Sequence, residues 1–221
     1  MAALLWRLAE LRLFSRLPWF GIWLTIRLVQ TPVLQLLRNF PDVQTQVWIL
    51  SDALLLGSMV LTAVEIYFEL TRVVFELGRA GPAVALFALI LGTAVALTST
   101  GGLADAASIQ QGVFAFVAGG LGAALWFYGC FPLPVASHVW PHAQVFLIYV
   151  ASHALGYWAL AVFGREMMSG LDQFLTLGWC TCLVAWLWLF SRPLSYPSPA
   201  SQSELEIANH RARRLERVLN H

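Results

Sequence analysis

The chain has 221 residues, of which 59% are hydrophobic and 11% charged, with a mean hydropathy of +0.70. A soluble domain of this size cannot hide so much apolar surface, whereas lipid solvates it, so the composition dictates an integral membrane protein. The formal net charge of +1 gives no electrostatic footprint for nucleic acid. All 13 basic residues are arginine, which excludes Schiff-base chemistry on a lysine.

Residues 1–16 hold Arg7, Glu10, Arg12 and Arg16 among leucines and Trp6. That density of charge suits an amphipathic helix lying at the interface and not a span. No charged segment precedes an apolar core there, so a cleavable signal peptide is not expected.

Residues 17–191 read as a six-helix transmembrane domain. The first span is expected at 17–37, with Pro18 near its start and Trp19 and Trp23 near an interface. The second covers 46–70 and its helical pattern runs on to about 77; the third is 82–97. The fourth is 109–128, opened by the capping box Ser108-Ile-Gln-Gln111. The fifth is 142–163 and the sixth 174–190, with Trp179, Trp186 and Trp188 as its share of interfacial or packing tryptophans. Residues 192–203, with Pro193, Pro197 and Pro199, form an extended linker. A second capping box, Ser203 to Glu206, starts a cytoplasmic amphipathic helix over 204–221. Its apolar seam is Leu205, Ala208, Ala212, Leu215 and Leu219, a surface for docking a protein partner or a second copy. The fold class is therefore all-α, a polytopic helical bundle with one amphipathic helix at each end.

The arginines orient this bundle. With both termini cytoplasmic, ten arginines fall inside, and only Arg38 and Arg165 outside, leaving Arg27 within a span. Lysine-free usage hints at a GC-rich genome, and no organelle signal is visible, so the expected location is a bacterial inner membrane.

Ionisable groups inside the spans are the candidates for chemistry. Ser58, Thr62, Glu65, Glu69, Arg72, Glu76 and Arg79 recur at spacings of three and four, which puts them on one face of the second helix. Glu65 lies about two turns inside the membrane, where a charge needs a partner or water. Arg27, mid-way along the first span, is the expected partner, and Asp52 the weaker candidate. Arg27, Gln30, Asp52, Thr62, Glu65 and Glu69 thus form an intramembrane polar cluster, either lining a cavity or satisfying one another.

Small-residue rows Ala88, Gly92, Ala96 and Ala115, Gly119, Ala123 predict close packing of the third and fourth spans. His153 is the histidine clearly within a span, on a face with Tyr149 and Tyr157. It is the low-ranked candidate for a haem or pigment ligand, because a bis-histidine haem needs a second facing histidine. His138, His142 and Cys130 make a poor metal site: no carboxylate is near, and Pro141 is expected to spoil their helical spacing. Cys130, Cys180 and Cys182 are an odd count, and the last two diverge on a helix, so buried thiols are expected and a disulfide framework is not. No H-E-x-x-H, G-x-S-x-G or P-loop pattern is present.

These features point to a non-enzymatic membrane protein without cofactor or metal. It would be a sensor-like or accessory subunit that docks a partner through its C-terminal helix. The alternatives are a small transporter or channel using Arg27, Glu65 and Asp52, and a haem- or pigment-binding subunit using His153.

Overall fold

The computed structural model of the chain describes residues 1–11, 13–71, 88, 92, 106–130, 138–163, 168–192 and 210. Among them every regular element is helical: α1 (Ala2–Glu10), α2 (Pro18–Leu36), α3 (Pro41–Thr71), α4 (Ala106–Cys130), α5 (Val139–Phe163) and α6 (Met168–Ser191). Single 3₁₀ turns, Leu13–Ser15 and Leu37–Asn39, precede α2 and α3. Five of these helices, α2 to α6, are long and apolar enough to cross a membrane. The protein is a multi-pass helical bundle.

Pro18 and Pro41 each occupy the first position of a helix, where the missing N–H has no partner to lose. Pro41 sets the register of the bundle. It starts α3 five residues before the expected second span, because the connection from α2 is one 3₁₀ turn and Phe40. Pro141 likewise sits in the first turn of α5 and does not break it; the His142 amide bonds the His138 carbonyl at 3.0 Å. The two histidines therefore do stand one turn apart, correcting the expectation that Pro141 spoils that spacing.

The helices pack in chain order, with α5 closing on α3 and α1 lying across α6 and α2. α1 is too short to span a bilayer. It buries Leu4 and Leu8 against the bundle and leaves Trp6 75% exposed, so one face is packed and the other is open. Arg7 ties it down: Nε donates to the Phe190 carbonyl at 2.9 Å, and the guanidinium reaches Ser191 O at 3.3 Å and Glu10 at 2.6 Å. The carbonyls it meets are those that the last turn of α6 leaves without intrahelical donors.

The core is aromatic. Phe20, Trp23, Phe146, Trp186 and Phe190 are at most 1% exposed and meet mostly edge to face, as at 5.0 Å between Phe20 and Trp186. Trp23 and Trp186 are thus core residues and not members of an interfacial belt. Trp188 remains at the surface, with the Arg192 guanidinium 3.6 Å above its ring.

The expected third span lies outside the described residues except for Ala88 and Gly92, both helical. A Cβ added to Gly92 would come within 2.7 Å of the Gly112 carbonyl oxygen and of Phe116 Cβ, and one added to Gly120 within 3.3 Å of Ala88 Cβ. The close approach of third and fourth spans is real at the described residues, where α4 presents Gly112, Phe116 and Gly120 to Ala88 and Gly92; what the row Ala115, Gly119, Ala123 meets lies outside the described residues. Gly57 meets nothing within 4 Å. We expect Gly92→Leu to destabilise the protein by about 1–3 kcal/mol, because backbone must move, and Gly57→Leu to leave thermal stability unchanged. Equal effects of the two substitutions would rule out the close approach.

Candidate functional site

The antiparallel pairing of α2 and α3 decides which polar groups meet. Gln30 Nε2 donates to Ser51 Oγ at 3.0 Å, and near the other end the Trp19 and Phe20 amides donate to the Glu65 carboxylate at 3.3 and 3.2 Å. Phe20 thus stands level with Glu65, and Arg27 lies about 10 Å further along α2. Arg27 and Glu65 do not pair. The expectation failed because Phe20, seven residues before Arg27, is the residue level with Glu65; Arg27 lies towards Asp52 instead.

Glu65 instead acts as a cap supplied from a neighbouring helix. Its carboxylate takes amide donors of the first turn of α2 that have no intrahelical acceptor, and sits at the positive end of that helix dipole. Between Glu65 and Asp52, about 20 Å apart along α3, the polar stripe is spent on its own helix. The Thr62 hydroxyl donates to Ser58 O at 2.8 Å and the Ser58 hydroxyl to Leu55 O at 3.0 Å. Both side chains are buried with Leu55, Met59, Leu24 and Trp23, an apolar layer that divides the expected cluster in two. Glu69 lies on the Glu65 side of that layer.

On the other side is a cleft of about 420 Å³ between α2 and α3, near the turn that joins them. Arg27 and Asp52 lie deepest along the helices, Gln30 and Thr31 midway, and Arg38 and Gln44 towards the turn, with Leu34 and Trp48 as apolar walls. The Arg27 guanidinium donates to the Tyr149 hydroxyl of α5 at 3.2 Å and to Gln30 Oε1 at 3.4 Å. Asp52 is the carboxylate that acts on it through space, and Asp52 itself accepts from Gln110 Nε2 of α4 at 3.2 Å. The Ser51 hydroxyl also donates to Trp48 O at 3.0 Å, and Gln44 Nε2 to Leu34 O at 3.0 Å, which pins the walls. Tyr149, Gln110, Ser51, Gln44 and Arg38 were not in the expected cluster. Glutamines at 30, 35 and 44, all in or beside apolar runs, were the signal in the sequence.

His153 backs this site and is built as a core histidine. Its Nδ1 lies 2.9 Å from Tyr149 O, one turn back on α5, so Nδ1 carries the proton. The ring stacks on Phe114 at 5.1 Å and meets Tyr149 at 4.3 Å. His142 is on the same helix about 16 Å along the axis, so the two cannot share one haem. It is fully buried among Phe20, Phe146, Trp186 and Phe190, with the Phe20 ring 4.5 Å away. Next to it, outside the span, burial and the Arg16 guanidinium hold the His138 imidazole below its usual pKa range, favouring the neutral ring. Among the described residues no three His, Cys, Asp or Glu side chains come together as a metal site. Cys182 is buried and Cys180 exposed, both as free thiols. The docking seam Leu205, Ala208, Ala212, Leu215 and Leu219 lies outside the described residues.

Fold and site together define an all-helical, multi-pass membrane protein with a one-ended polar cleft. Comparison with protein-family models, curated proteins and solved structures finds no match.

Since Arg27 and Glu65 serve different partners, their substitutions should act independently. We expect Arg27→Gln and Glu65→Gln each to destabilise the protein, and the double variant to lose the sum within about 0.5 kcal/mol. Recovery of stability in the double variant would mean that they do pair.

Proposed function

We propose that the protein is a non-enzymatic, sensor-like membrane subunit. It receives a small polar ligand in the cleft between α2 and α3, and relays occupancy to a partner docked on the helix at 204–221. The observation that carries this reading is the cleft's closure at one end. Arg27 and Asp52 lie against the apolar layer of Leu24, Trp23, Leu55 and Met59, so a solute can enter from the α2–α3 turn but, among the described residues of α2 and α3, meets an apolar layer beyond them. A receptor needs a site of that form, whereas a channel needs a continuous one. Transport by alternating access is the second reading, and requires that layer to part.

The ligand would be felt through Arg27, whose bond to Tyr149 joins α2 to α5. We place the protein in a bacterial inner membrane with both termini cytoplasmic, counting 82–97 as a sixth span. The cleft then opens outward, and the C-terminal helix lies inside with Arg211, Arg213, Arg214 and Arg217.

Affinity purification of the full chain from its native membrane tests the relay. A defined protein should accompany the wild type and be lost when Leu205, Leu215 and Leu219 are all replaced by serine, while the core keeps its thermal stability. Reporter fusions after Arg38 and after His221 should read external and internal respectively. Undiminished copurification with the serine variant would remove the docking role, and reversed reporters would turn the cleft inward.

A further inference from the structure

We propose that the cleft is an oxyanion site that takes a phosphate group, carried by a lipid headgroup or free in solution; this deepens the receptor reading above and rests on it. Two guanidinium groups and one carboxylate line the cleft, leaving it one formal positive charge. Asp52 is already engaged by Gln110, at 3.2 Å. Arg27 has five N–H donors, and its direct partners Gln30 and Tyr149 are both neutral. Arg38 is exposed at the mouth on the 3₁₀ turn, and Thr31 lines the cleft about two helical turns deeper. The site therefore offers donors in excess of acceptors, as a phosphate oxygen set demands.

Position narrows the source of the anion. Acyl chains cannot satisfy Arg27, Gln30 and Asp52, so water or a polar group must fill a cleft of about 420 Å³ at this depth. That volume lies within the range of small-ligand sites, roughly 300–1,000 Å³. Around it Val29 and Leu36 on α2, Phe40 in the connecting turn and Trp48 on α3 are exposed apolar side chains. They give an acyl chain a surface to follow while its phosphodiester reaches Arg38 and Arg27.

The full-length protein, delipidated in detergent, decides the matter in two arms. In one it is returned to nanodiscs of phosphatidylcholine doped with phosphatidylglycerol, and the phosphatidylglycerol retained after repurification is measured. In the other, inorganic phosphate is titrated calorimetrically. Wild type should retain phosphatidylglycerol selectively if the source is lipid, or bind inorganic phosphate if it is solute. Arg38→Gln should weaken whichever binds by about tenfold, the fold-change of losing one charge-assisted hydrogen bond. Arg38 is exposed and its side chain, among the described residues, makes no hydrogen bond or ion pair, so this variant should stay folded. Arg192→Gln removes the same charge at the far end of the bundle and should behave as wild type. Binding of neither anion by wild type overturns the proposal, as does an equal loss in the Arg38 and Arg192 variants. The copurification assay uses the tail variant and no added anion, so failure of the anion assignment is distinguishable from failure of the receptor reading.

Discussion

A charge inside a bilayer must be answered from within the protein, and Arg27 is where that constraint bears hardest on this fold. Its guanidinium sits in the middle third of α2, where an isolated arginine costs on the order of 2.5–3.5 kcal/mol. Tyr149 from α5, Gln30 one turn along its own helix and the field of Asp52 from α3 supply the answer. Three helices are thereby drawn to one point, and Gln110 adds a fourth through Asp52. The same groups that make Arg27 tolerable leave a polar cleft that the bilayer cannot fill with hydrocarbon.

Below the cleft the packing changes character. Phe20, Trp23, Phe146, Trp186 and Phe190 form a dry aromatic core in which edge-to-face contacts replace hydrogen bonds. His142 lies in that core, and among the described residues neither of its ring nitrogens nor Trp186 Nε1 has a hydrogen-bond partner. Each such group costs about 1–3 kcal/mol, which the surrounding ring contacts must offset. Glu65 and Arg7 finish the other end of the bundle in complementary ways. One is a carboxylate on the open amides of α2, the other a guanidinium on the open carbonyls of α6. Between these two caps and the cleft, the Ser58 and Thr62 hydroxyls on α3 are turned onto the carbonyls of their own helix.

Much of the architecture was legible in the residues because lipid makes the hydropathy pattern nearly decisive. The spans found among the described residues fall where apolar runs predict them, and the charged N-terminal stretch forms a short helix, α1, packed on the bundle. What pattern alone could not supply was registry. Arg27 was matched to Glu65 from their places within two spans, whereas the contacts between α2 and α3 set Phe20 level with Glu65 and Gln30 beside Ser51. The contacts of the third and fourth spans depend likewise on the angle of α4 about its axis, which sets Gly112, Phe116 and Gly120 against Ala88 and Gly92. Trp23 was expected near an interface because tryptophan favours interfaces, and Trp186 at an interface or in packing; the burial of both comes from partners on other helices. The cleft was half visible: Arg27, Gln30 and Asp52 were in view, while Tyr149 and Gln110 belong to it through tertiary contacts alone.

The central claim is that Arg27 is held by Tyr149, and a double-mutant cycle on these two residues tests it most directly. Arg27→Gln, Tyr149→Phe and the double variant would be unfolded in the same lipid–detergent mixture and their free energies compared. The bond at 3.2 Å predicts a coupling of about 1–3 kcal/mol, with the second substitution costing little once the first is made. Strictly additive losses would show that Tyr149 does not hold the arginine, and the account of the cleft would have to be rebuilt around Asp52.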